Sequence, residues 1–382
     1  MDKFRARLSS HEPGKPIIPD SERFKTCVYF TNWAVYGKKH FPSDIPYEYY
    51  THIFYAFLAI DTETGELKFT DEWCDLQLEQ KSLVPGKEKI VGNLESLRQL
   101  KRISGRLKVV MSIGGWGTSH QFEAITSSDC KLQRFVDSVV AFVGKHGFDG
   151  VDIDWEYPKN PQESNAFARM IKGIRQALPL HYSLSIAAPA GKEHMQYIPF
   201  KDVDQYISFY NLMAYDFAGQ GWSAKTGYHS NLFGNNGDND LCAHDVVQTY
   251  LQKGISAKKL ILGMPMYGRI FSGVDACGVG QSFQKSGSED TVNYNKIEEN
   301  MDCHFDSRKV AAFAYNAATK ELTTFDNAQS AKIKGSYVRS NGLGGGMWWD
   351  SSGDKPITSE KGDSSSLVYN FVEQLGGTSA LE

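Results

Sequence analysis

Eight short apolar segments, rich in β-branched and aromatic residues, recur along the chain with longer helix-like stretches between them. They read TCVYFTNW (26–33), HIFYAFLAI (52–60), LKVVMSIGG (107–115), FDGVDIDWE (148–156), YSLSIAAPA (182–190), YISFYNLMAYD (206–216), KLILGMPMYG (259–268) and LGGGMWW (343–349). Between several lie amphipathic windows. One, over 130–147, sets Leu132, Phe135, Val136, Val139, Val140 and Val143 on one helical face and stops at Lys145, His146 and Gly147. A second covers 163–178 and a closing one covers 364–377. Strand-length runs alternating with helices imply right-handed βαβ crossovers and a parallel sheet. An open doubly wound sheet is the alternative, but eight strands favour closure. The expected fold is α/β, a (β/α)8 TIM barrel.

Spacing within the chain sets the expected domains. The gap from the seventh strand to the eighth is about twice what one helix needs. It carries a strand-like VAAFAYN (310–316) and a hairpin through ATKELTTF (318–325) before a helix over 327–341. We read 270–325 as a small α+β insertion domain between strand seven and its helix. The barrel then spans 23–269 and 326–380, after an N-terminal extension over 1–22.

Composition narrows the partners. In 382 residues, 41 basic and 45 acidic side chains give a net charge of −4, too little positive charge for a phosphate-dominated interface. No nucleic acid is expected. No run approaches the ~20 apolar residues of a membrane span, so no membrane partner is expected either. Residues 1–22 hold no signal-peptide core. The six cysteines lie far apart, without a C-x-x-C pair, and read as scattered core thiols rather than a disulfide framework or zinc site. The expectation is a monomer that is cytoplasmic or released without a signal peptide, and secreted if a leader has been removed. Aromatics make 13% of the chain, and their faces can serve as platforms for the C–H faces of sugars.

The fourth segment holds the sharpest chemistry. On a strand, Asp152, Asp154 and Glu156 fall at i, i+2 and i+4 and share one face, while Val151, Ile153 and Trp155 take the other. Carboxylates turned into an apolar barrel must be hydrogen-bonded or partly protonated. Neighbouring acids cannot all ionise, so the row should hold a proton, as a general acid near neutral pH requires. Glu156 comes last, at the carboxyl end where barrel active sites lie. An exposed acidic edge strand is the bland reading, opposed by the alternating Val, Ile and Trp. A magnesium site is another, but no His joins the row. Other strand ends carry Trp33, Trp116, Trp222 and the pair Trp348-Trp349. Strand six adds Met213, Tyr215 and Asp216, and strand seven adds Tyr267 and Arg269. Four strand ends bearing Trp around one acidic row suggest a carbohydrate cleft. The run at 342–346 leads into a strand and lacks the Lys-Ser/Thr of a phosphate loop, and Ser112-Ile113-Gly114-Gly115 lacks the spacing of a nucleophile elbow.

These residues carry a resemblance. DGVDIDWE fits the D-x-x-D-x-D-x-E signature of the family 18 glycoside hydrolases, the chitinases, and MSIGG, NLMAYDF, MPMYGR and LGGGMWW are similar to that family's strands three, six, seven and eight, in order. The absence of a leader and of a binding module looks most like the intracellular-type fungal branch. The resemblance implies that Glu156 is the general acid and later the base. It implies that Asp154 orients the substrate's N-acetyl group, that Asp152 buffers Asp154, and that Asp149 supports the row. Tyr215 would bond the acetyl carbonyl. Met213, Asp216, Tyr267 and Arg269 would lie in the cleft, with Trp349 rather than Trp348 flooring the reacting sugar. Trp33, Trp116 and Trp222 would line flanking subsites, with Tyr29, Phe57 and Ala187 nearby. The implied function is retaining, substrate-assisted hydrolysis of β-1,4-linked N-acetylglucosamine in chitin and chitooligosaccharides, with no cofactor and no metal in the reaction. A chitin-binding lectin on the same fold and an endo-β-N-acetylglucosaminidase remain the alternatives, the first disfavoured by the presence of Glu156.

Overall fold

A computed structural model of the protein describes residues 23–86, 88–234, 241–285, 290–297, 302–357 and 364–382. The expected extension over 1–22 lies outside the described residues, as do parts of the expected insertion.

Eight parallel strands close into a barrel. They are β1 (Lys25–Thr31), β2 (His52–Ile60), β3 (Lys108–Gly114), β4 (Gly150–Asp154), β5 (Ser183–Ala188), β6 (Phe209–Leu212), β7 (Leu260–Pro265) and β8 (Gly345–Trp349). Each pairs with its neighbour in chain order, and β8 returns to pair with β1, so no barrel edge is left open. A short strand, Leu67–Phe69, adds antiparallel to the end of β2. Helices cover the outside: Asp129–His146 buries Phe135, Val136, Val139 and Val143 and ends at Gly147, whose φ of 72° needs no Cβ. Pro161–Ala177 starts behind Asn160, whose side chain caps the Glu163 amide. Among the described residues no helix is long and apolar enough to cross a membrane.

Two apolar clusters follow from strand alternation. The larger lies between strands and helices, and includes Val151, Ile153, Trp155 and Trp348. The smaller holds Cys27, Tyr29, Phe54, Phe57, Val110, Phe209, Ile261 and Met347, with Tyr215 and Trp349 packed against it. It fills the barrel beneath the carboxyl ends of the strands.

A second sheet of five strands follows β7. Tyr267–Phe271 is flanked by Thr291–Asn293 and Glu321–Phe325, then come Ala311–Asn316 and, outermost, Asp302–Asp306. The sheet therefore begins at Tyr267, three residues before the expected boundary at 270, and Tyr267 and Arg269 belong to it rather than to β7. At the other limit, Leu381 is buried and bridges Phe24, so the barrel's floor runs past 380. The expectation of six core thiols needs correction. Cys27, Cys74 and Cys242 are buried, but Cys130, Cys277 and Cys303 are exposed.

Candidate active site

β4 delivers the acidic row. Asp152 and Asp154 are buried on the strand, whereas Glu156 sits two residues past its end, partly exposed at the barrel mouth. Asp152 is the best-bonded of the three. Its Oδ2 accepts from Tyr29 Oη at 2.8 Å and from Ser112 Oγ at 2.8 Å. Its Oδ1 accepts from Ser185 Oγ at 2.7 Å and Asn211 Nδ2 at 3.3 Å. Ser112 and Ser185 are its direct register partners on β3 and β5, which is why three neighbouring strands each turn one polar side chain inward at this level. Burial raises the Asp152 carboxyl above its ordinary range, while these hydrogen bonds oppose the rise.

Asp154 stands differently. Its Oδ1 is buried with no hydrogen-bond partner among the described residues. Burial, then the charges of Glu156 and Asp152, hold its carboxyl well above the usual range. The glycines of MSIGG make this closeness attainable. A Cβ on Gly114 (φ 116°) would lie 2.2 Å from the Asp154 carbonyl oxygen, and one on Gly115 (φ 96°) 2.7 Å from the Phe57 ring. Gly115 N–H donates to that same carbonyl at 2.9 Å. Glu156 is pushed up to about 7, by burial first, against a hydrogen bond from Tyr157 and with help from the Asp216 carboxylate. A carboxyl titrating near 7 can both give and take a proton at neutral pH.

Beyond β6, Tyr215 is kept a phenol by burial and by the surrounding acids, Asp154 foremost. Asp216, in the left-handed region at φ 59°, is the opposite case. Its Oδ1 accepts from Tyr267 Oη at 2.7 Å and Arg269 Nε at 2.8 Å, with His229 Nδ1 at 3.6 Å. Burial alone would raise it, but His229 and Arg269 hold it well below the usual carboxylate range. Arg269 is in turn fixed by Asp290 at 2.8 Å and lies 4.9 Å from the Trp222 ring. Met213 is half-buried, and Ala187 lies buried on β5.

The tryptophans divide sharply. Trp348 is fully buried, edge-on to Phe371 on the helical side, while Trp349 lies over Phe57 at 5.7 Å and Tyr29 at 5.3 Å. Trp33 continues the line, 6.2 Å from Phe57. Trp33, Trp222 and Trp116 are 47%, 53% and 82% exposed.

One expected site residue is not brought in. Asp149 precedes β4 at its amino end, paired with Lys101 at 2.6 Å and accepting from the Val109 amide at 2.8 Å. It lies three positions from Asp152, so alternation turns it to the helical side. Sequence reading also missed Ser112, Ser185, Asn211, His229 and Asp290. For the first three a signal existed, a lone polar residue within an apolar strand.

This geometry can be set beside known proteins. The sequence profile of the glycosyl hydrolases family 18 matches residues 25–354. The chain belongs to that family. It is 34% identical to sporulation-specific chitinase 2 of Saccharomyces cerevisiae, over 93% of this chain and 78% of that one. It is 33% identical to chitinase 1 of Aphanocladium album, over 92% and 86%. Among solved structures, the second catalytic domain of the Ostrinia furnacalis Group II chitinase superposes with a TM-score of 0.81 at 28% identity, covering 93% of this chain and 97% of that domain. A mutant of that domain was solved in complex with a penta-N-acetyl chitooligosaccharide, (NAG)5. The enzyme is thus a glycoside hydrolase of the chitinase type.

Proposed function

We propose that the enzyme cleaves β-1,4 linkages between N-acetylglucosamine units in chitin and chitooligosaccharides, with retention and with the substrate's own acetamido oxygen as nucleophile. The observation that carries this is the contrast between Glu156 and Asp154. Glu156, held near 7, donates its proton to the glycosidic oxygen. Asp154, kept from ionising freely, is a poor nucleophile towards the anomeric carbon. Its unbonded Oδ1 is suited instead to accept from the acetamide N–H as positive charge develops there. Asp152, fixed by four donors, shares the charge that Asp154 gains. Tyr215 Oη donates to the acetyl oxygen, which attacks the anomeric carbon as the leaving sugar departs. Glu156, now a carboxylate, takes a proton from water, and that water opens the cyclic intermediate from the original face.

Trp349 floors the reacting sugar, and Trp33, Trp116 and Trp222 extend the platform along a linear polymer. Tyr29 and Phe57 support that floor, and the Asp216, Tyr267 and Arg269 network fixes polar contacts beside it. The experiment is proton NMR of chitotetraose during its first minutes of hydrolysis. New reducing ends should form as the β-anomer. An initial α-anomer would rule out retention, and cleavage confined to glycoprotein glycans would favour the endo-β-N-acetylglucosaminidase reading.

A further inference from the structure

The outermost strand of the second sheet carries a cluster that the hydrolytic site does not use. On Asp302–Asp306, Asp302 and His304 stand at i and i+2 and face the same way, with Cys303 turned to the other side. Cys277, 27 residues before His304, is brought to them. Its Sγ lies 3.5 Å from His304 Nε2, and that same nitrogen lies 3.0 Å from Asp302 Oδ1. All three ligand atoms fall within 4.8 Å of one another. One face of the imidazole is packed. It stacks on Phe313, its register partner on the next strand, at 4.8 Å and 17° between planes.

Tetrahedral zinc holds thiolate at about 2.3 Å and imidazole or carboxylate at about 2.0–2.1 Å, which puts sulfur and nitrogen about 3.5 Å apart and nitrogen and oxygen about 3.3 Å apart. The 3.5 Å sulfur–nitrogen span matches that pattern, and the 3.0 Å nitrogen–oxygen span falls just short of it. Thiolate with imidazole favours zinc over the hard cations magnesium and calcium. We propose that Cys277, Asp302 and His304 form a zinc site, with the fourth position open to water. Cysteine ligates zinc as the thiolate, so binding releases the Cys277 proton to solvent as the Zn–S bond forms. The ion would tie the segment around Cys277 to the edge strand. That segment is already bonded to the loop bearing Trp222: Gly280 N–H donates to Thr226 O at 2.8 Å, and Thr226 N–H to Gln281 O at 2.9 Å. A bound ion would therefore brace one wall of the cleft without entering the reaction.

Cobalt(II) titration of the purified, reduced enzyme tests this, followed by zinc competition. One ion per chain should bind, with the thiolate-to-cobalt charge-transfer band and the intense visible bands of tetrahedral cobalt. Cys277→Ser should remove the charge-transfer band, and both it and His304→Ala should weaken binding at least tenfold, in line with the loss expected when a metal's support is removed. Asp302→Asn should also weaken it, and Cys303→Ser should change nothing. All four positions are exposed, so folding should survive, as circular dichroism will show. Absence of the bands in the parent enzyme, or their loss in Cys303→Ser with retention in Cys277→Ser, would overturn the site.

Discussion

Tyr29 Oη donates a 2.8 Å hydrogen bond to Asp152 Oδ2, joining the first barrel strand to the acidic row on the fourth. The same ring lies 5.3 Å from Trp349, so one side chain touches both the buried end of the proton-holding row and the proposed sugar floor. Tyr29→Phe keeps the ring and deletes the bond. Removing a donor from a buried acceptor costs ~1–3 kcal/mol, so urea unfolding at neutral pH should register a loss of that order with an unchanged m-value. An unchanged midpoint would mean that Asp152 is held by its other three donors alone.

Glu156→Gln should lower kcat on chitotetraose by about 10²–10⁴-fold while leaving KM within a few-fold, because shape is kept and the transferable proton is lost. Retention of more than about a tenth of kcat would remove Glu156 from the role of acid.

The alkaline limb of kcat/KM should fall near pH 7, where Glu156 loses its proton. The Asp216 carboxylate is one cause of that raised value, so Asp216→Asn should move the limb toward acid. Measurement across pH on both proteins decides, and a limb moving the other way would contradict the assignment. Stability carries the same sign. The folded state binds the Glu156 proton more tightly than the unfolded chain does, so stability should decline between the ordinary pKa of 4.5 and about 7. Glu156→Gln should therefore be the more stable protein at pH 8, by ~1–3 kcal/mol. That advantage should vanish below pH about 4.5.

How much of this could be read beforehand depends on strand alternation. Parity placed Trp348 among the helices and Trp349 over the mouth, and it put Asp152 and Asp154 on one face. Applied to Asp149 it would have removed that residue from the site, since an odd offset from Asp152 turns it outward. Glu156 escapes parity because the strand ends at Asp154. The peptides after Ala56, Glu156 and Trp349 are cis, a geometry that no residue pattern announces when proline is absent. The turn between β7 and the second sheet was hidden as well. MPMYGR reads as one strand, yet it pairs in parallel up to Pro265 and antiparallel from Tyr267. The cluster of Cys277, Asp302 and His304 had no local spacing to betray it, because the fold alone closes that distance.

Trp348→Ala and Trp349→Ala should fail in different ways. The first opens a cavity against Phe371 and should cost ~3–5 kcal/mol of stability. The second should leave the thermal midpoint less changed and lower kcat/KM on chitin oligomers at least tenfold. If Trp348→Ala damages catalysis more in a folded protein, the sugar floor is misassigned.

Substrate assistance is the central claim, and partially N-acetylated chitosan tests it most directly. If the attacking oxygen belongs to the sugar's acetamido group, only a sugar carrying that group can occupy the reacting position. Sequencing the products by mass spectrometry should therefore find N-acetylglucosamine at every newly formed reducing end, whatever sugar stands on the other side of the cut. New reducing ends bearing glucosamine, formed at a comparable rate, would show that a protein carboxylate or a direct water attack replaces the acetamido oxygen.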